Sequence, residues 1–109
     1  MQKLGNKILQ FEDFAIDFGA VEIRKGGDAV PVEPQVFDLI GLLATHPGQV
    51  LSRDEIIEAV WDGRFISESA ISTRINAARR ALGDDGSRQS VIKTVRGLGY
   101  RMEPERESA

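Results

Sequence analysis

SESAISTRINAARRAL, residues 67–82, carries its apolar side chains at a single spacing. At about 100° per residue, Ile71, Ile75, Ala78 and Leu82 fall within about 60° of one another, which predicts a helix with a narrow buried stripe. Ser67 stands at its start as an N-cap, where a hydroxyl takes up an unpaired backbone N–H of the first turn. The face opposite the stripe holds Ser69, Thr73, Asn76 and Arg80, with Arg74 on one flank and Arg79 on the other. Short hydrogen-bonding groups let a helix backbone approach base edges, and cations on both flanks reach phosphates, so this face has what a helix in the major groove of DNA needs. An ordinary solvated helix can have the same composition, and on this stretch alone both readings stay open.

Upstream, VLSRDEIIEAVW (50–61) contains the capping box Ser52-Arg53-Asp54-Glu55, in which hydroxyl and carboxylate each satisfy an orphan N–H, with Leu51 and Ile56 spaced as a hydrophobic staple. A second helix therefore starts at Ser52 and runs to about Trp61. Asp62 to Ile66 is a short connection with two readings: Arg64 and Phe65 exposed for a protein contact, or a packed connector with Phe65 and Ile66 in the core. Further upstream, Pro34 suits a first helical position, and Val36, Phe37, Ile40, Leu43 and Ala44 keep helical spacing until His46-Pro47-Gly48. Before that helix, ILQF, FAIDF, AVEIRK and DAVPV (within 8–32) read as four short strands of an antiparallel meander. Lys25-Gly26-Gly27-Asp28 suits a two-residue hairpin, because glycines accept the positive φ that primed turns require. The alternation in Ala15-Ile16-Asp17-Phe18 and Val21-Glu22-Ile23-Arg24 leaves one sheet face apolar, which the helices must cover.

Downstream, Gly83-Asp84-Asp85-Gly86 ends the third helix, and Val91–Val95 and Tyr100–Met102 flank Arg96-Gly97-Leu98-Gly99 as a terminal hairpin. Gly97 and Gly99 read as turn geometry; no helix N-terminus follows them, as a phosphate-cradling loop requires. Arg96, at the tip, is placed to reach a second groove when the third helix sits in the first.

The net charge of −3 argues at first against a nucleic-acid partner, but it conceals a segregation. Residues 1–66 hold 6 lysines and arginines against 11 carboxylates, 67–102 hold 7 against 3, and 103–109 hold 1 against 3. All the basic excess lies in the third helix and the hairpin.

Other chemistries are narrowed by what the sequence lacks. With no cysteine there is no disulfide framework, thiol nucleophile or thiolate metal site, and a single histidine, His46, does not supply a hydrolase cluster or an imidazole metal site. His46 falls at a helix end, where an imidazole caps free carbonyls. No metal, cofactor or small-molecule substrate is expected, and no enzymatic activity. At 109 residues the chain suits one domain with one core. No apolar run is long enough for a membrane span, and MQKLGNKILQFED lacks the apolar stretch of a signal peptide, so a cytoplasmic location is expected.

VLSRDEIIEAVW (50–61), ISTRINAARRAL (71–82) and IKTVRGLGYRM (92–102) together resemble the OmpR/PhoB-type winged-helix DNA-binding domain, with TVRGLGYR the most specific of the motifs. The resemblance covers nearly the whole chain and implies an α+β fold: a winged helix-turn-helix with an N-terminal four-stranded antiparallel sheet, three helices and a C-terminal β-hairpin wing. It sets the domain at 1–102, with 103–109 a flexible tail or linker. It implies sequence-specific binding of double-stranded DNA in transcription regulation and signal transduction, with recognition helix 67–82 in the major groove and wing 91–102 in the minor groove. By resemblance Thr73 and Ala77 face bases, and Arg74, Asn76 and Arg79 contact the backbone. The outward face adds Ser69 and Asn76 to the base-facing set and Arg80 to the phosphate-facing one. Arg53, Trp61, Thr94 and Tyr100 match positions that hold phosphates, although the Trp61 and Tyr100 rings have an alternative role in closing the core. Arg96 matches the arginine that enters the minor groove, and the 62–66 loop, with Arg64 and Phe65, matches one that touches RNA polymerase. Tandem half-sites about one helical turn apart are implied, with a domain monomeric in solution and paired on DNA.

Three departures from the family pattern stand out. Ala77 replaces a long polar side chain, Arg74 stands where histidine is common, and only about seven residues precede the first strand, so the usual receiver domain and its phosphoacceptor aspartate are not assigned. The arrangement resembles the branch that carries this domain at the N-terminus, ahead of a sensor or an enzymatic domain. Two other functions compete: a regulatory or protein-interaction winged-helix module whose third helix docks on protein, which predicts an apolar exposed patch there, and the regulatory segment of a larger enzyme.

Overall fold

A computed structural model describes residues 8–11 and 13–103; the expected tail lies outside the described residues from 104 onward, as do residues 1–7. Four strands, β1 (Ile8–Phe11), β2 (Phe14–Asp17), β3 (Glu22–Lys25) and β4 (Asp28–Val30), form an antiparallel meander in sequence order. Three helices follow, α1 (Pro34–Ala44), α2 (Arg53–Trp61) and α3 (Glu68–Ala81), and then a hairpin of β5 (Ile92–Val95) and β6 (Gly99–Met102). This is the expected α+β winged helix-turn-helix.

The sheet pairs as its alternation predicts. Ile16 faces Ile23 across the ladder and both are fully buried, while Arg24 on the outer face holds Asp17 at 2.8 Å and Glu22 at 2.7 Å. Lys25 pairs with Asp28 around Gly26 and Gly27, both at positive φ, so the corner is the two-residue hairpin. The strands are shorter than the apolar runs: Pro31 has no N–H to extend the ladder beyond Val30, and Val21, at φ 54°, turns the chain before β3.

Helix α1 covers the apolar face. Phe18 meets Phe37 edge-on with ring centroids 5.9 Å apart, and it lies so close to Gly41 that a Cβ there would stand 2.8 Å from the Phe18 ring. A glycine inside a helix normally weakens it, and this one makes room for an aromatic ring. At the end of α1, Nδ1 of His46 lies 2.9 Å from the Leu42 carbonyl, the capping contact expected of it. In α2 both halves of the capping box are present: Glu55 N–H donates to Ser52 Oγ at 3.1 Å and Ser52 N–H to Glu55 Oε1 at 2.8 Å. The stripe of Ile71, Ile75, Ala78 and Leu82 is buried against the rest of the core.

The hairpin is not a free appendage. Leu51 and Tyr100 exchange backbone hydrogen bonds of 2.8 and 3.0 Å, an isolated antiparallel bridge that ties the segment before α2 to β6. Here the reading of Gly99 as turn geometry is corrected. A Cβ on Gly99 would lie 2.0 Å from the Leu51 carbonyl oxygen, so the glycine permits close approach of two backbones, whereas Gly97, at φ 77° with open space around it, serves the turn itself.

Candidate nucleic-acid interface

Helix α3 begins with Ser67, whose Oγ accepts from Ala70 N–H at 3.2 Å. Along its outward side Ser69, Thr73, Asn76 and Arg80 are all exposed. The Thr73 hydroxyl donates to the Ser69 carbonyl at 2.9 Å, so its lone pairs and its methyl are what it offers outward. Arg74 is half-buried on the flank toward α1, with Nε 3.3 Å from Gln35 Oε1. Ala77 is half-buried too, packed on the core and lining a shallow groove with Val32, Val36 and Arg80, so only part of its methyl faces outward.

Arg79 departs most from expectation. Placed on the DNA backbone by resemblance, it is 5% exposed, with its guanidinium spent inside: Nε donates to the Ile92 carbonyl at 3.0 Å, Nη2 to Thr94 Oγ1 at 2.9 Å and Nη1 to Asn76 Oδ1 at 3.1 Å. It is therefore not a phosphate contact but a strut between α3 and the hairpin. The helical wheel contains the reason: four residues on from Ile75, Arg79 lies only about 40° from the buried stripe. Burial pulls its pKa down, offset in part by Asp84, Tyr100 and Asp85.

The loop after α3 holds a second buried charge that the sequence did not single out. Asp84 is 4% exposed and accepts from the backbone N–H groups of Val91 (2.8 Å), Ser90 (2.9 Å) and Ile92 (3.2 Å) and from the Ser90 hydroxyl (3.0 Å). Burial alone would raise its pKa, but the N–H groups of Val91, Ser90, Asp85 and Ile92 outweigh it and hold the carboxyl well below the ordinary range. Its sequence signal was faint: one of three acids in an otherwise basic stretch, next to the glycine that ends α3.

Around this frame the cations separate by whether they are engaged. Arg53, at the start of α2, pairs with Glu68 at 2.7 Å, and Arg101 and Lys93 on the hairpin both reach Glu103, at 2.9 and 3.9 Å. Arg80 and Arg96 are exposed and have no ion-pair partner among the described residues. Exposed pairs such as Arg53–Glu68 are worth about 1 kcal/mol or less, so a phosphate can displace the acid at little cost. Trp61 is 8% exposed and its ring closes the core, the alternative role expected of it, while Tyr100 is half-buried against the same core. Thr94 is exposed, and because Arg79 only donates to its oxygen, the Thr94 hydroxyl proton is free to point outward. In the α2–α3 loop Ile66 packs on the core, but Phe65 is 90% exposed, which corrects the packed-connector reading for that residue.

Residues 27–102 match the family described as transcriptional regulatory protein, C terminal. The chain belongs to this family. Members similar to it include the transcriptional regulatory protein AfsQ1 of Streptomyces coelicolor, 32% identical over 95 residues, which are 86% of this chain and 42% of that protein. The chain thus spans less than half the length of that relative. Among solved structures, the Klebsiella pneumoniae RstA DNA-binding domain in complex with the RstA box is similar with a TM-score of 0.82 and 30% identity, over 91% of this chain and 99% of that one. The DNA-binding domain of CpxR from E. coli gives 0.79 and 31%, over 92% and 99%. The fold is that of the DNA-binding domains of OmpR/PhoB-type regulators, and the family is one of DNA-binding transcription regulators rather than enzymes. None of the helices among the described residues is long and apolar enough to cross a membrane.

Proposed function

We propose that this domain binds double-stranded DNA sequence-specifically to regulate transcription, with α3 in the major groove and the β5–β6 wing in the adjacent minor groove. The observation that carries this is the outward side of α3: polar, free of bulky acids beyond Glu68, and joined through buried Arg79 to a wing whose tip presents an exposed Arg96. Ser69, Thr73 and Asn76, with the exposed part of Ala77, face the bases. Arg53, Arg74, Arg80, Thr94 and half-buried Tyr100 face phosphates, and Arg96 enters the minor groove. The rival in which α3 docks on protein needs an apolar patch on that side, where the side chains are Ser69, Thr73, Asn76 and Arg80.

The domain is monomeric in solution and pairs on tandem half-sites. It acts in the cytoplasm, over residues 1–102. Exposed Phe65 beside exposed Arg64 supports a protein contact at the α2–α3 loop, for which RNA polymerase is the partner we infer.

The test is selection from genomic DNA with the purified domain, followed by binding to the recovered site across a salt series. With the four arginines named above neutralising phosphates, log K should fall against log salt with a slope of about −3 to −4. Two half-sites should bind measurably better than one. A slope near zero, or recovery of no common sequence, contradicts the interface.

A further inference from the structure

Asn76 is exposed on the groove side of α3, yet one end of its amide is already in use. Arg79 Nη1 lies 3.1 Å from Asn76 Oδ1. A guanidinium has five N–H donors and no acceptor, so only the oxygen of the amide can face it, and the NH2 group must turn the other way. Arg79 is itself fixed, because the Ile92 carbonyl and the Thr94 hydroxyl hold its other nitrogens at 3.0 and 2.9 Å. Gly86 in the loop after α3 lies on the same side: a Cβ added there would come within 3.5 Å of Asn76 Oδ1 and 3.8 Å of Arg79 Nη1.

We propose that Arg79 is a positioning residue that holds the Asn76 oxygen toward the protein and turns its amide NH2 outward, so that Asn76 meets DNA as a hydrogen-bond donor. An asparagine free at both ends reads adenine with two bonds, its NH2 to N7 and its oxygen to the 6-amino group. With its oxygen turned toward Arg79, Asn76 presents the first half of that contact. It therefore takes an acceptor, either a purine N7 or O6 in the groove or a phosphate oxygen on the wall, and it does not single out adenine. This inference rests on the placement of α3 in the major groove.

The test pairs protein variants with single-atom changes in the selected half-site. Each adenine is replaced in turn by a purine lacking the 6-amino group, each purine by its 7-deaza form, and each phosphate by a methylphosphonate. Removing the acceptor that Asn76 uses should cost the parent domain about tenfold in affinity and cost Asn76→Ala nothing further. A 7-deaza position so coupled places the contact in the groove, and a methylphosphonate position places it on the backbone. Loss of a 6-amino group should show no coupling with Asn76 anywhere. Asn76→Asp keeps an oxygen for Arg79 but offers an acceptor outward, so it should bind at least as weakly as Asn76→Ala. Arg79→Lys keeps the charge without the fork; if its melting curve shows a folded domain, the freed Asn76 oxygen should bring coupling to a 6-amino group.

Coupling of Asn76 to a 6-amino group in the parent domain overturns the proposal. So does an absence of coupling to every acceptor while Thr73→Ala still alters base preference, or an unchanged pattern in folded Arg79→Lys. If neither Asn76→Ala nor Thr73→Ala alters binding, the groove placement of α3 fails, and the proposal falls with it.

Discussion

Arg96 and Thr73 act through different physics, and their loss should differ in kind. On the proposed placement, a guanidinium at the wing tip is drawn to the enhanced negative potential of a narrow A·T-rich minor groove, whereas the Thr73 oxygen and methyl would meet base edges. Arg96→Ala should cost about 1 to 3 kcal/mol, lower the salt slope by about one unit and weaken the A·T preference beside the half-site. Thr73→Ala should leave the slope unchanged and relax base preference within the half-site. If Arg96→Ala alters none of the three, the wing is structural only. Asp84 sets a different expectation. Its folded pKa is depressed, so its stabilisation is fully present above the unfolded value of about 4 and is lost as pH falls through that value toward the folded one. Asp84→Asn should destabilise the domain by about 2 kcal/mol at neutral pH, by weakening bonds to buried N–H groups, and should flatten the loss of stability below about pH 4. Urea melts at several pH values measure both effects, and equal acid sensitivity in the two proteins contradicts the role. Side chains that meet solvent or their own helix were legible from sequence, as the exposure of Ser69, Thr73 and Arg80 shows. Arg79 was not read correctly, because a cation near a stripe edge looks the same whether it points out to phosphate or in to a carbonyl of a strand 13 residues away.

At the scale of elements, the caps and periods predicted every helix to within a residue or two, since the Ser52 and Ser67 hydroxyls accept from backbone N–H groups of their own first turns and Pro34 presets the helical φ at the start of its own. Contacts between elements were less visible. No local pattern says that Gly99 lies under the Leu51 carbonyl or that Asp84 ties the α3–β5 loop to the start of β5, because both depend on where distant backbone ends up. The same docking gives the wing a fixed direction relative to α3, through Leu51–Tyr100 on one side and Arg79 on the other. The α2–α3 connection behaves differently: Ile66 anchors it while Arg64 and Phe65 stand clear. Arg64→Ala should therefore lower transcription in a reconstituted assay with polymerase and leave affinity for the DNA site intact. An equal loss of both would count against a polymerase contact.

For the whole molecule, an acidic chain binds a polyanion by keeping its charge apart. The carboxylate excess belongs to the sheet, α1 and α2, and the cations to α3 and the hairpin, so net charge is a poor guide and its distribution a good one. That segregation was legible in the sequence, and the fold turns it into a surface by joining α3 and the wing through Arg79. Because the chain has no cysteine of its own, a single one can be introduced at will and loaded with a tethered iron chelate that cuts nearby DNA. The most direct measurement is the cutting pattern from Thr73→Cys, Leu98→Cys and Val21→Cys domains on the selected site; Leu98 and Val21 are 65% and 58% exposed, at the wing tip and in the turn between β2 and β3 of the four-stranded sheet. The account predicts cuts centred within the half-site from position 73, cuts in the flanking minor groove from position 98, and none from position 21. Cutting from the sheet position, or none from positions 73 and 98 on DNA that the loaded domains still bind, would contradict it.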